Sequence, residues 1–277
     1  MCSHRLMKFI YSAMPLKWVK RSLFRKTSRW FKNKRVGIVL SNNKLLKFDI
    51  TIGDPVETSI YLNEIFEPAT CDKILKNINK VTTFYDVGCN MGYFTCLAGK
   101  TNVDARIVSI DANPAMVKKT TDNCLLNDVK ADIYNYGVGS ETDEMAFFVN
   151  SERPSFGSFG DDGRPGENKT ILVKIKQISE IIDKNNLPNP EFLKIDIEGF
   201  EPEFFRGYSD KHFTSLKYMI IEHIPSHMEK CGKSPHEIWE NERMRAFNYY
   251  SFDEEGAIAE IQYEDLEKYS GMLYAER

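Results

Sequence analysis

Asp86 is followed at once by a glycine-bearing turn, Val87-Gly88-Cys89-Asn90-Met91-Gly92, and then by an apolar stretch that opens at Tyr93-Phe94. Strand, tight turn and helix in that order bring a backbone close to a nucleotide-like ligand, and glycine serves there because no β-carbon blocks the approach. The spacing is not that of a dinucleotide site, Gly-x-Gly-x-x-Gly, because Asn90 and Tyr93 occupy the second and third glycine positions. A P-loop is excluded as well, since no Gly-Lys-Ser/Thr closes the turn. A carboxylate just ahead of the turn, Asp86, suits an ammonium group better than a pyrophosphate. Asp111 lies nineteen residues beyond Gly92 at the end of the next apolar run, where an acid can accept hydrogen bonds from both hydroxyls of a ribose. A ligand with both an amine and a ribose is implied, and S-adenosylmethionine has both. Gly88, Asn90, Gly92, Tyr93, Ala112 and Asn113 would line it. The alternative for Asp111 is to cap a helix that starts near Pro114.

A second group of acids follows. Asp196 and Glu198 are two apart at the end of an apolar run, so they point to one side if the strand continues, and Gly199 permits a turn. Asp196 would orient a substrate hydroxyl or contact the methyl donor; Glu198 would accept a proton or, alternatively, cap a helix beginning near Pro202. Glu222 and His223 close the next run, and alternation sends them to opposite faces. His223 is the expected general base, because an imidazole titrates in the useful range; the competing role is packing. His227 and His236 lie in the helical stretch beyond. The spacing of Asp196, Glu198, Glu222 and His223 matches no metal motif, and no metal is expected.

These groups need a scaffold that gathers them at one edge. From residue 81 onward, apolar strand-like runs alternate with helical segments, at 82–87, 106–110, 131–136, 145–149, 171–175, 192–197 and 218–221, with closing runs at 248–252 and 257–263. Such alternation indicates an α/β domain with a largely parallel sheet, whose ligands sit at the carboxyl ends of the strands. Residues 36–80 add two short strands and a helical pattern over 60–66 that Glu67-Pro68 should end or bend. The segment 150–169, rich in Ser, Gly, Pro and Asp, reads as a site loop or lid, with Arg153, Phe156, Phe159 and Arg164 helping to define the acceptor.

The net charge of −3 conceals an asymmetry: residues 1–35 hold eleven Lys/Arg and no acid, which leaves 26 basic and 40 acidic residues in the remainder. Apolar residues from Leu16 to Phe31 fall near helical spacing among those bases, so this segment is either a basic amphipathic helix for an anionic membrane surface or one that packs on the domain behind it. No apolar run is long enough to cross a membrane, and no secretory signal is evident. Six cysteines without a Cys-x-x-Cys pair read as reduced thiols. A cytoplasmic protein is expected, peripheral at the inner membrane face if the basic arm binds there.

The segment Asp86-Val-Gly-Cys-Asn-Met-Gly-Tyr-Phe-Thr95, together with Phe192-Leu-Lys-Ile-Asp-Ile-Glu-Gly-Phe-Glu201 and Ile220-Ile-Glu-His223, resembles the FkbM-type family of S-adenosylmethionine-dependent methyltransferases over roughly residues 60–255. The Lys-Ile-Asp-Ile-Glu-Gly element is the specific part; the glycine turn is shared by many methyltransferases. Gly137-Val138-Gly139, the loop around Ser158 and Ile178-Ser-Glu-Ile-Ile182 also fall in the family's order, and the resemblance adds Gly137 and Val138 to the donor site. It implies a Rossmann-like class I methyltransferase fold, a mostly parallel seven-stranded sheet with helices on both faces, carrying a basic helical N-terminal extension. The expected division is 1–35 for the extension, 36–80 for a segment capping the core and 81–277 for the catalytic domain. The implied reaction is O-methylation of a hydroxyl on a sugar, a glycan or a natural-product alcohol. Cys89 stands where the family usually has Ala, a change between small residues, and the basic arm lies outside the family core. The competing readings are a non-catalytic donor-binding or scaffolding protein and, more remotely, a nucleic-acid methyltransferase, for which the Asn/Asp-Pro-Pro-aromatic motif of DNA amino-methyltransferases is missing; no nucleic-acid partner is expected. Self-association into a homo-oligomer is left open.

Overall fold

The structure is a computed structural model that describes residues 34–41, 45–150, 155–160, 168–252 and 258–277. The expected basic helix, Cys2, Arg153 and Arg164 lie outside the described residues. The chain divides into two compact units, the first ending at Phe66 and the second running from Glu67 to Arg277.

In the first unit, β1 (Lys34–Ser41) and β2 (Leu46–Ile52) pair antiparallel, with a register shift between Arg35 and Gly37. Helix α1 (Pro55–Asn63) follows, its first turn held by Asp54, whose Oδ1 accepts from the backbone N–H groups of Val56 and Glu57. The helix therefore starts earlier and stops earlier than the 60–66 pattern suggests, and Glu64 ends it in the left-handed region at φ 60°.

The second unit opens with α2 (Pro68–Asn77), which has proline in its first turn after Glu67 at φ 43°. Pro68 thus starts a helix, where its missing N–H costs nothing, and does not merely end one. Helix α2 belongs to the large unit.

The large unit is built on an eight-stranded sheet. Its parallel part comprises β3 (Thr83–Val87), β4 (Arg106–Asp111), β5 (Asp132–Asn135), β10 (Phe192–Ile195) and β11 (Tyr218–His223), side by side in the order β11-β10-β3-β4-β5. Three antiparallel strands extend it, in the order β13 (Ile258–Ile261), β12 (Asn248–Phe252) and β14 (Gly271–Glu276), with β14 paired to β11. The largely parallel α/β sheet is as expected, but the strand count is eight instead of seven. Strand β14, which the alternating runs do not include, inserts between β11 and β12. The expected runs at 145–149 and 171–175 leave the main sheet altogether. They form β7 (Asp143–Asn150) and β9 (Asn168–Lys176), an antiparallel pair in a four-stranded sheet with β6 (Gly137–Val138) and β8 (Gly157–Ser158). Among the described residues no crossover helix lies between them, and antiparallel pairing needs none.

All five residues of β3 are buried, as in a strand covered on both faces. Tyr85, Val87, Val108, Ile110 and Leu193 turn one way into the main core, where α5 (Ile178–Lys184) and α6 (Glu201–Arg206) supply Ile178, Ile182 and Phe204. Asp86, Ser109 and Lys194 turn the other way, and Thr95 of α3 (Tyr93–Thr101) reaches Asp86 and Ser109 from that side. Helices therefore cover both faces. The chain steps outward from β3 to β4 and β5, then returns to lay β10 and β11 on the other side of β3. The point where this order reverses, between the carboxyl ends of β3 and β10, is where an open α/β sheet forms its ligand crevice.

Candidate active site

The glycine turn sits at that reversal. Gly88 and Cys89 donate their N–H groups to Ile110 O at 2.8 and 3.1 Å, and Asp196 donates its N–H to Val87 O at 3.0 Å. At Gly88, φ is +78° and an added β-carbon would stand 1.7 Å from Asp196 O, so this glycine is required by the close approach of the β10 end. Gly92, at φ +79°, caps α3, and its missing side chain makes room for Thr120 of α4 (Pro114–Leu126). Tyr93 follows it in the first turn of α3, 2% exposed and edge-on to Phe94 at 5.4 Å. Asn90, at φ +52°, is the residue of the turn with polar reach. Its N–H donates to Asp111 Oδ2 at 2.8 Å and its Nδ2 to Ser155 O at 2.9 Å, while its Oδ1 is buried with no hydrogen-bond partner among the described residues.

Asp111 ends β4 with its other oxygen, Oδ1, accepting from Asn113 N at 2.8 Å. The helix cap is Asn113, whose Oδ1 accepts from Ala115 N at 3.0 Å. The capping role weighed for Asp111 thus falls to Asn113, whose side chain is 4% exposed and whose oxygen is committed to the helix. Asp111 and Ala112 remain partly exposed. Burial raises the Asp111 pKa to about 6, against the lowering effect of the two backbone donors.

Asp86 requires correction too. It is fully buried, its Oδ2 accepting from the Thr95 hydroxyl at 2.7 Å, so it lies beneath the turn and does not face an incoming ammonium. Burial raises its pKa, against the opposing pull of Lys194. Lys194 was not singled out as a site residue, yet it is 2% exposed and places Nζ 3.1 Å from Asp196 Oδ2. Burial works against its charge, but Asp196, Asp86 and Glu67 outweigh that and raise its pKa. A lysine in the middle of the apolar run Phe-Leu-Lys-Ile was the signal.

Beyond Ile195 the strand stops. Glu198 takes φ +55° and Gly199 φ +102°. A β-carbon on Gly199 would meet His227 O at 2.4 Å, so this turn is pressed against α8 (Pro225–Lys230). As a result Glu198, Glu222 and His227 converge: His227 Nδ1 lies 3.3 Å from Glu198 Oε2 and 4.0 Å from Glu222 Oε2. The N-cap of α6 is Phe200, which makes no side-chain capping bond. Instead Glu201, 1% exposed, turns back so that Oε1 accepts from Ile197 N at 2.9 Å. Its Oε2 has no hydrogen-bond partner among the described residues, and burial raises its pKa to about 8. Burial raises the pKa of Glu222 well above the carboxylate range, with Asp196, Glu198 and Glu201 adding to it.

The expected base, His223, faces the other way. It is fully buried, with Nδ1 2.8 Å from Tyr269 O and Nε2 accepting from the indole N–H of Trp239 at 3.1 Å, on the short helix α9 (His236–Trp239). Both ring nitrogens are committed and neither reaches the strand-end crevice, so His227 replaces His223 as the imidazole beside the acids. Spacing alone could not show this, because it depends on how α8 folds back.

Gly137 and Val138 are buried in β6, paired with Ile175 and Lys176. A β-carbon on Gly137 would strike Ile175 and Phe159, so the glycine lets β9 and the Phe159 ring approach this strand closely. The described part of the site loop, 155–160, runs from Ser155 beside Asn90 to Gly160, whose absent β-carbon makes room for Lys230 O and Cys231. Between these ends Phe159 packs on Phe147 and Phe200, ring centroids 4.9 and 4.6 Å apart. The loop thus spans from the glycine turn to α8. Cys71, Cys89, Cys96, Cys124 and Cys231 are all free thiols. No helix among the described residues is long and apolar enough to cross a membrane.

The chain is 22% identical over 149 residues to hexuronic acid methyltransferase AglP of Haloferax volcanii, covering 54% of this chain and 59% of that protein. It is 22% identical over 155 residues to Methyltransferase 1 of Beauveria bassiana, covering 50% and 62%. The match thus spans about three fifths of the length of these curated relatives. Among solved structures, Methyltransferase FkbM from Methylobacillus flagellatus KT aligns with a TM-score of 0.42 at 14% identity, over 93% of this chain and 60% of that one. Residues 86–250, more than half of the chain and including both the glycine turn and the second acidic cluster, match the Methyltransferase FkbM domain, and the chain belongs to that family.

Proposed function

We propose that the protein is an S-adenosylmethionine-dependent O-methyltransferase acting on a hydroxyl of a sugar or glycan. The observation that carries this reading is the placement of two groups at the carboxyl ends of neighbouring parallel strands: Asp111 with Asn90 after β4 and β3, and Glu198, Glu222 and His227 after β10 and β11. The residues fit the donor. Asp111 retains a partly exposed carboxylate for two ribose hydroxyls, and Asn90 Oδ1, buried without a partner, offers an acceptor to a ligand N–H or O–H. The donor supplies a sulfonium methyl already activated for displacement. The chain's own residues then position the acceptor oxygen in line with that methyl and keep water out, which is where much of the barrier can be lowered. The 155–160 loop runs from Asn90 to the end of α8, between the two groups. Glu198, Glu222 and His227 bind the acceptor hydroxyl and ease the departure of its proton. The similarity to a hexuronic acid methyltransferase supports a sugar acceptor.

The test is calorimetric titration with S-adenosylmethionine, followed by labelled donor with a panel of hexuronic acids, glycans and simple alcohols and by mass spectrometry of products. Donor binding with a labelled methyl ether on a sugar is the expected result. Donor binding without any product across the panel and in cell extract would favour a non-catalytic, donor-binding role, and no donor binding would remove the reading altogether.

A further inference from the structure

We propose that Glu198, Glu222 and His227 form a binding site for a divalent cation of the Mn2+ or Zn2+ kind, on which the acceptor hydroxyl is held. This rests on the methyltransferase reading and specifies how the acceptor side of the site works. One carboxylate oxygen from each glutamate and one ring nitrogen of the histidine lie within 4.8 Å of one another. His227 Nδ1 is 3.3 Å from Glu198 Oε2 and 4.0 Å from Glu222 Oε2. Ligands about 2.1 Å from a tetrahedral cation are separated by about 3.4 Å, and those around an octahedral one by about 3.0 Å. The three residues come from three different places, the turn after β10, the end of β11 and α8, and the Gly199 contact with His227 O sets the first against the third. Carboxylate and imidazole together suit first-row divalent ions better than Ca2+ or Cu+.

A second observation points to the same place. Glu201 is 1% exposed and keeps Oε2 buried without a hydrogen-bond partner, within electrostatic range of both Glu198 and Glu222. Glu67 and Asp196 add to the negative potential at Glu222, while the nearby cation Lys194 is engaged by Asp196 and Asp86. Three protein ligands leave coordination positions open, as in catalytic metal sites. An acceptor hydroxyl there loses its proton to water, its oxygen lone pair forms the new O–CH3 bond as the S–CH3 bond breaks, and the donor leaves as a neutral thioether.

The test uses the full chain stripped of metal with a chelator. Mn2+ is titrated alone, followed by electron paramagnetic resonance and calorimetry, with S-adenosylmethionine binding measured in parallel. One Mn2+ per chain is expected. Glu222→Gln and His227→Ala should each weaken it at least tenfold while donor affinity and thermal unfolding stay near those of the parent, and Asp183→Asn, at a remote salt bridge, should leave Mn2+ binding unchanged. Zn2+ competition reports the same site if Mn2+ is weak. Failure of both ions to bind, or binding indifferent to Glu222→Gln and His227→Ala, overturns the cation site. Methyl transfer that runs at full rate in excess chelator overturns the cation's role while leaving the methyltransferase reading intact, and loss of donor binding alone strikes that reading instead.

Discussion

The indole N–H of Trp239 donates to Nε2 of His223 at 3.1 Å, with the two rings 5.2 Å apart. With Nδ1 at Tyr269 O, the imidazole is a buried bridge between β11, α9 and the segment leading into β14. Its removal leaves an indole donor and a backbone carbonyl without their partner, and opens a cavity. His223→Ala is therefore expected to cost about 2–4 kcal/mol of stability, read as a lower denaturation midpoint. Turnover per folded molecule at a permissive temperature should stay near that of the parent. Burial lowers the His223 pKa below its ordinary value near 6.5. Its contribution to stability is thus complete above that value and declines as pH falls toward the folded-state pKa. A selective loss of turnover with unchanged stability would return His223 to the catalytic role.

Asp111 offers a pH signature for donor binding. Only its ionised form accepts hydrogen bonds from both ribose hydroxyls, and burial has raised its pKa to about 6. Donor affinity should be level above pH 7 and fall as pH drops through about 6. Asp111→Asn should flatten that profile and weaken binding by about 10- to 100-fold, or about 1.4–2.7 kcal/mol. Calorimetry between pH 5 and pH 8 checks both; a profile unchanged in the variant would detach Asp111 from the ribose.

The parallel sheet and the location of its crevice can be read from alternating runs, because strands buried on both faces are apolar throughout and stand out from their surroundings. The acids at the ends of those runs were visible for the same reason. What escaped was set by three-dimensional return of the chain. His227 reaches Glu198 only because α8 folds back onto the Gly199 turn, and Gly137 is crowded by Ile175 only once β9 lies beside it. Likewise, β7 and β9 carry the same strand pattern as their neighbours, and pattern alone does not say which sheet they join. Asp86 shows a different limit: alternation along β3 sends it to the face covered by α3, and the identity of that cover is not written in β3 itself.

Lys194 is held in the interior by acids, and its loss should be felt through them. Lys194→Met removes the cation 3.1 Å from Asp196 and leaves Asp86 fully buried without a counter-charge. Breaking a buried pair from one side typically costs about 3–5 kcal/mol. Chemical denaturation should show a loss of that order. The double variant Lys194→Met with Asp86→Asn should recover part of it, and a double variant no better than the single one would mean that the two groups do not interact.

Gly88 and Gly232 separate backbone conformation from backbone contact. Both have positive φ, +78° and +70°, so alanine at either carries the left-handed penalty of about 1–2 kcal/mol. Nothing lies within 4 Å of the β-carbon position at Gly232, whereas at Gly88 that position is 1.7 Å from Asp196 O and 2.7 Å from the carbonyl carbon. Relief at Gly88 requires the glycine turn and the end of β10 to move apart, which breaks the hydrogen bond from Asp196 N to Val87 O and separates the two halves of the site. Gly232→Ala should fold with a modestly lowered midpoint and bind the donor. Gly88→Ala should either fail to accumulate as folded protein or unfold much earlier, and any folded fraction should bind the donor poorly. Equal midpoints for the two variants would show that the turn does not rest against Asp196.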